Sequence, residues 1–480
     1  MSSERLARLV DFGAFNDMDS VLVTRHGRIV LEATYAPFRA GLKHRLYSVT
    51  KSVVSTLAGM ALGDGLLDST DRKVVDFFAD RTIANLDDAK KAITVQHLLD
   101  MRSGLTWQDN LGVSFNAMER SPDWQQFVLD HPMSVAAGTS FNYSGGNSHL
   151  LSAILSKVTG KSAHAYAREK LFGPLGIDDV LWRADPQGVS GGGAGLYLQP
   201  RDMAKIGYLW LRGGVWEGKQ ILPASWIEGV RAANVEIPES WARDLRYGAQ
   251  FWVMPLRDAF MAVGTHRQLI VVMPNLDIVA VVTSSARFPT PSAMASTPRY
   301  GFGTLVDYLA AAVVADGAVA AEPTVTAELA ERVKAAAIEQ PAPASPGGSK
   351  PSAMAKAVSG KNWRFEGNPM HLKSLTLKLD DPQPSYEYEL ADGPPGAPSG
   401  RFGGPVGFDG RYAVGGRMPY GPSAARGAWS ADGTSLMLEI QTLGNDDAAR
   451  VTLVFGDSSV ELSAESAGGF KAKVQGRLEN

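Results

Sequence analysis

The chain has 480 residues, 45% hydrophobic and 20% charged, a composition that fits two or three folded domains and excludes a mainly disordered chain. Lys and Arg total 47 against 50 Asp and Glu, a net charge of −3, so the chain lacks the electrostatic footprint of a nucleic-acid or anionic-membrane partner. Cysteine is absent, which excludes disulfides, thiolate nucleophiles, iron–sulfur clusters and cysteine-ligated zinc, while the redox compartment stays open.

The first residues, Met1–Val10 (MSSERLARLV), lack the apolar core of a secretory signal. Localisation is therefore unknown: cytoplasmic, or exported with a leader removed. No apolar run reaches the roughly 18 residues of a membrane span. Ser20–Thr24 and Ile29–Tyr35 flank His26-Gly27 and read as a β-hairpin. Helical spacing follows around 49–63, 95–101, 147–159 and 201–213. A second hairpin, Gln268–Met273 and Asp277–Ser284 around Pro274-Asn275-Leu276, has nearly continuous apolar strands. Strands at both ends with helices between predict an α+β fold: one antiparallel sheet flanked by helices, with an inserted helical region. The 8 histidines are scattered without an HExxH motif, so no metal is expected.

Thr324–Glu339 carries Leu329, Val333 and Ile338 at helical spacing. The composition then breaks at 340–353 (QPAPASPGGSKPSA), a linker with too little apolar content to pack. Beyond it, Leu372–Leu379 alternates apolar and polar residues. Asp392-Gly393, Asp409-Gly410 and Asp432-Gly433 punctuate short runs such as Ser435–Leu443 and Arg450–Phe455. Turn signals between short alternating runs predict an antiparallel β barrel or sandwich. The expected division is 1–339, a linker at 340–353 and a β-rich region at 354–480.

Four segments could carry chemistry. In Tyr47-Ser48-Val49-Thr50-Lys51, Ser48 opens a helix and Lys51 shares its face. A hydroxyl needs a base in reach to act as nucleophile, and a desolvated lysine can lose charge enough to help; the bland alternative is a capping serine before an exposed lysine. In Asn142-Tyr143-Ser144-Gly145, a tyrosine at a helix start can present its phenol outward, with a pKa that nearby cations would lower; the alternative is a ring packed on a turn. In Gly264-Thr265-His266-Arg267-Gln268, a glycine on an edge strand lets substrate approach the backbone; the alternative is a polar strand entry. Gly188-Val189-Ser190-Gly191-Gly192 matches G-x-S-x-G, but Asp185-Pro186-Gln187 before it and Gly193-Ala194-Gly195 after it make a loop, not a strand–helix elbow.

Taken together the first three segments, with Thr94–Leu105, Gly138–Leu151, Gly193–Gly207 and Gly214–Trp226, resemble the serine β-lactamase and penicillin-binding-protein superfamily. The branch is that of class C β-lactamases, D-aminopeptidases, family VIII carboxylesterases and 6-aminohexanoate-dimer hydrolase. The resemblance runs from about Ser20 to Ala315. It implies that Ser48 is acylated, that Lys51 shares its proton network and that Tyr143 is the general base. Gly145 stands where the family has Asn. Aligning the third motif on Gly264 puts Ala262 at the usual cation position and Val263 at the hydroxyl position, so a substrate carboxylate would have to use His266 or Arg267. The N–H groups of Ser48 and Thr265 would form the oxyanion hole. Trp107 would line the pocket, and the loop 191–195 would border the cleft.

The expected function is hydrolysis of a small-molecule ester, amide or peptide through an acyl-enzyme, with no metal, organic cofactor or nucleic acid. The missing lysine and Asn favour an esterase or amidase over the first alternative, a β-lactamase or D-amino-acid peptidase. A second alternative is a non-catalytic binding protein on the same fold. The C-terminal region resembles the β-barrel-like appendages of some relatives; access, homodimer contacts and stability are all open as its role.

Overall fold

Both expected hairpins form, and they pair with each other. In the computed structural model, which describes residues 1–109, 112–239, 242–288, 301–320, 322–341, 353–392, 399–419, 421–445 and 448–479, Met18–Arg25 lies between its hairpin partner Arg28–Thr34 and the distant strand Ile278–Ser284. The sheet continues through Gln268–Met273, Ala259–Gly264, Phe251–Met254, Arg246–Gly248 and Val235–Glu236, eight antiparallel strands in all.

The near-continuous apolar strands reflect burial on both faces. On one face Val21, Val23, Val271 and Ala280 pack with Leu6, Leu9, Leu305 and Leu309 from the helices Ser3–Phe15 and Phe302–Ala312. The helix Pro323–Ala336 adds Leu329 and Val333 to this layer. Ile338, expected on the same apolar face, is 54% exposed because the helix ends two residues earlier. On the other face Leu22, Ile270, Val272 and Val279 pack with Val49–Gly63 and Pro200–Leu211. The latter helix comes very close: a Cβ on Gly207 would lie 2.5 Å from Val279 Cγ1.

The helix Val49–Gly63 is buried all the way round from Val49 to Ala61, the pattern of a core helix. Sheet and inserted helices close over it. That burial determines the chemistry of Lys51.

After the helix Ala353–Val358, the strands from Asn362–Phe365 to Lys471–Leu478 form a closed ten-stranded antiparallel barrel. Trp363 pairs with Leu478 to shut it, which leaves no free edge. Of the two forms expected, barrel and sandwich, the chain takes the barrel. Gly410 and Gly433 have φ of 84° and 69°, the left-handed conformation that makes Asp-Gly a turn; Gly393 and most of the linker, 342–352, lie outside the described residues. The barrel touches the first region beside Ser48: Arg45 N–H donates to Gly444 O at 2.7 Å, and Ala424 and Leu443 pack on Phe38 and Leu42. Among the described residues no helix is long and apolar enough to cross a membrane.

Candidate active site

Ser48 stands at the N-cap position of the buried helix Val49–Gly63 without a capping hydrogen bond from its side chain, which leaves its hydroxyl for other partners at the positive end of the helix dipole. One turn on, Lys51 Nζ donates to Ser48 Oγ at 2.9 Å and to the carbonyl of Gly193 at 2.7 Å. Lys51 is 2% exposed. Burial lowers its pKa from 10.5 to about 8, opposed by the charge of Asp109. A desolvated lysine bound to the serine is what the sequence led us to expect, and the glycine loop 191–195 does reach the cleft, through Gly193 O.

Tyr143 lies two residues before the helix Gly145–Thr159, steadied by Asn142 Nδ2 donating to Trp107 O at 3.2 Å. Its hydroxyl shares a hydrogen bond with Ser48, and Lys51 Nζ stands 4.9 Å from its ring centre. The expectation of a phenol acidified by cations is corrected here. Burial dominates and raises the Tyr143 pKa, with the Ser48 hydrogen bond only partly offsetting it. Tyr247 and Trp252 wall the ring, with centroids at 6.0 and 5.7 Å. The Tyr247 phenol is itself pushed well up by burial.

The third segment is corrected in one respect. Ala259–Gly264 is not an edge strand, since Phe251–Met254 and Gln268–Met273 flank it. Its pairing with Phe251–Met254 nevertheless stops at Met261, so the end carrying Gly264 outruns that neighbour and meets the approach to Ser48 instead. A Cβ on Gly264 would lie 2.3 Å from Leu46 O, which is why glycine stands there. Thr265 is exposed just beyond it. The His266 ring packs edge-on against Tyr47 at 5.7 Å, while the Arg267 guanidinium lies over Phe302 at 4.6 Å. Ala262 and Val263 bring no cation to the strand.

Trp107 is 5% exposed and packs against Phe127 and His131, as a core residue does. Its indole N–H nonetheless reaches the site, donating to Asp109 Oδ1 at 2.9 Å. Gly145, where the resemblance predicts an absent Asn, leaves no vacancy: a Cβ there would lie 2.5 Å from the Phe115 ring. That ring also crowds Gly193, at 2.9 Å from the corresponding Cβ. Ser190 is occupied structurally, its hydroxyl accepting from His164 N–H and its carbonyl from Ser152, in line with rejecting the elbow. Among the described residues no group of three or more His, Asp or Glu could hold a metal ion.

Sequence reading did not single out Asp109, Phe115, Tyr247 or Trp252. Glycine at 145 and 193 signals that something needs room, but not whose side chain takes it.

Residues 17–303 match the family model described as Beta-lactamase. The 6-aminohexanoate-dimer hydrolase of Paenarthrobacter ureafaciens is 25% identical over 299 residues, 57% of this chain and 73% of that protein. A family VIII carboxylesterase superposes with a TM-score of 0.51 at 17% identity, over 65% of this chain and 97% of its own. The octameric penicillin-binding protein homologue from Pyrococcus abyssi does so at 0.51 and 15% identity over 99% of this chain and 100% of its own; its coverage takes in the barrel. With a family match over more than half its length, placed on the sheet and helices that hold Ser48, Lys51 and Tyr143 together, the chain belongs to the beta-lactamase family and is a hydrolase of that superfamily.

Proposed function

We propose that the chain hydrolyses esters or amides of small uncharged or cationic molecules through an acyl-enzyme on Ser48. The observation that carries this reading is the buried Lys51 amine, its pKa brought down to about 8, bonded to Ser48 Oγ. A hydroxyl with such a partner can be deprotonated as it attacks. Tyr143, held neutral by burial, is a proton carrier and not a standing phenolate, so the base is assigned to Lys51.

In the first half-reaction Ser48 Oγ bonds to the carbonyl carbon while its proton passes to Lys51 Nζ. The oxyanion lies against the N–H groups of Ser48 and Thr265. The carbon–oxygen or carbon–nitrogen bond of the substrate then breaks. Tyr143 O–H protonates the leaving group and is reprotonated from Lys51. In the second half-reaction water adds to the acyl-serine, gives its proton to the same network, and Ser48 leaves with it.

Asp109 sets the charge preference. Its carboxylate, held by Trp107, lies 3.6 Å from a Cβ at Gly145, and no cation occupies Ala262 or Val263. An anionic substrate would face that carboxylate, and one charge pair is worth ~1 kcal/mol at 4 Å even in water. The relative named for the 6-aminohexanoate dimer keeps amides beside esters in this reading. The small-molecule partner belongs to the same proposal, as does a homodimer, which light scattering on the purified chain would read.

The β-lactamase or D-peptidase reading keeps one support. Arg45 lies over the Tyr47 ring at 4.4 Å, three residues before Ser48, and adds a cation to His266 and Arg267 that a substrate carboxylate could recruit. The test compares p-nitrophenyl butyrate, p-nitrophenyl 4-aminobutyrate, the p-nitrophenyl hemiester of succinate and nitrocefin on the wild type and Ser48→Ala. Neutral and cationic esters should exceed the succinate hemiester by about tenfold in kcat/KM, equal to ~1.4 kcal/mol, and Ser48→Ala should abolish all turnover. Full turnover by Ser48→Ala sinks the serine mechanism. Faster opening of nitrocefin than of the neutral ester would transfer the reading to the Arg45 alternative. No turnover of any kind would leave a binding protein.

A further inference from the structure

Ten strands make a lumen wider than eight, whose inward side chains just fill it. Here one end is filled. Trp363, Trp429 and Phe455 meet with ring centroids 5.7 and 6.0 Å apart, and the helix Ala353–Val358 adds Ala355 and Val358 to the same core. Toward the other end the inward residues shrink. In register, Leu453 faces Leu462, Val451 faces Ala464, and Ala449 faces Ser466. A cavity of about 280 Å³ remains, walled by Leu375, Tyr388, Leu438, Ile440, Val451 and Leu462 among others.

From this we propose that this end of the barrel, open among the described residues, is a binding site for an uncharged aliphatic molecule of medium length, such as a fatty alcohol. The volume is near the lower limit of ligand pockets, ~300 Å³. At the roughly 30 Å³ that a water-sized group takes in a liquid, it holds about nine or ten heavy atoms. The walls are mainly apolar, which favours an apolar guest over water. Polar groups lie at the rim. Glu465 is the one charged residue among the described lining residues, and it is paired with Arg450 at 3.3 Å and Lys471 at 4.0 Å. Arg450 is shared with Glu439 at 3.2 Å, so the nearby cations already face carboxylates of the chain, and with Glu465 itself in the lining the rim suits a hydroxyl better than a carboxylate. Phe470, 50% exposed at the same mouth, offers an apolar lip.

The test uses the full chain and 1-heptanol carrying an alkyl diazirine, whose heavy-atom count matches the cavity. Photolabelling should saturate, compete with plain 1-octanol, and map to the strands Ser385–Leu390, Ser435–Thr442, Ala448–Phe455 or Ser459–Ser466. Ala464→Phe, which fills the lumen, should lower labelling by about tenfold or more while p-nitrophenyl butyrate turnover stays at the wild-type level. Labelling that does not saturate, that maps to the Ser48 cleft, or that persists in Ala464→Phe overturns the proposal. Should Ala464→Phe lose its calorimetric unfolding transition, the wild-type label map decides by the same criteria.

Discussion

Replacing Lys51 by Met should stabilise the protein at neutral pH and reverse that effect in alkali. Met keeps the volume and apolar stem of the lysine but carries no charge to desolvate. The fall in the Lys51 pKa from 10.5 to about 8 is a difference of about 2.5 units, or roughly 3 kcal/mol of folding free energy at ~1.36 kcal/mol per unit. Below pH 8 the amine is protonated in both folded and unfolded chains, so the whole penalty is present. Between pH 8 and 10.5 the unfolded chain holds a proton that the folded chain has lost, and wild-type stability rises relative to the variant. Lys51→Met also forfeits the hydrogen bonds to Ser48 and Gly193, about 1 kcal/mol each. The net expectation is a variant more stable by ~1 kcal/mol at pH 7 and less stable by ~2 kcal/mol above pH 10.5. Differential scanning calorimetry of both proteins across that range reads the crossing. A variant that is less stable at every pH, by an amount that does not change, would refute the buried and depressed ammonium.

The same lysine sets the rate profile: kcat/KM for a neutral ester should climb about tenfold per pH unit below 8 and level off above it, and a flat profile from pH 6 to 9 would contradict Lys51 as base. Asp109→Asn removes the charge that raises the Lys51 pKa, so the rise should move to lower pH; movement to higher pH would show the sign to be wrong. Gly145→Ala places a Cβ 2.5 Å from Phe115 and should destabilise by ~1–3 kcal/mol, with Phe115→Ala restoring part of the loss in a double-mutant cycle on melting temperature. Thr265→Ala leaves the backbone donor in place and should change kcat by less than about threefold, against the 10²–10³ typical when an oxyanion donor is lost.

Much of this architecture was legible in the residues. The helix expected at 49–63 and the strands Gln268–Met273 and Asp277–Ser284 appear within a residue of their expected limits, because uninterrupted apolar runs bounded by Gly, Pro or Asp leave few alternatives. The spacing of Ser48 and Lys51 also carried, since residues three apart on a helix must share a face. What did not carry depends on neighbours remote in sequence. The weakened acidity of Tyr143 follows from its burial, among neighbours that include Tyr247 and Trp252, about a hundred residues away. The occupant of the space at Gly145 is Phe115, which no local pattern names. Arg267, well placed in sequence to meet a carboxylate, lies instead over Phe302. Ile338 fits the helical period of Leu329 and Val333, but the helix stops at Ala336.

The central claim is that Ser48 forms the acyl bond, and intact mass followed by peptide sequencing after brief exposure to a fluorophosphonate tests it most directly. The account predicts one adduct per chain, on the peptide containing Ser48, formed faster as pH rises toward 8 and absent from Ser48→Ala. An adduct on another serine, or equal labelling of Ser48→Ala, would contradict it.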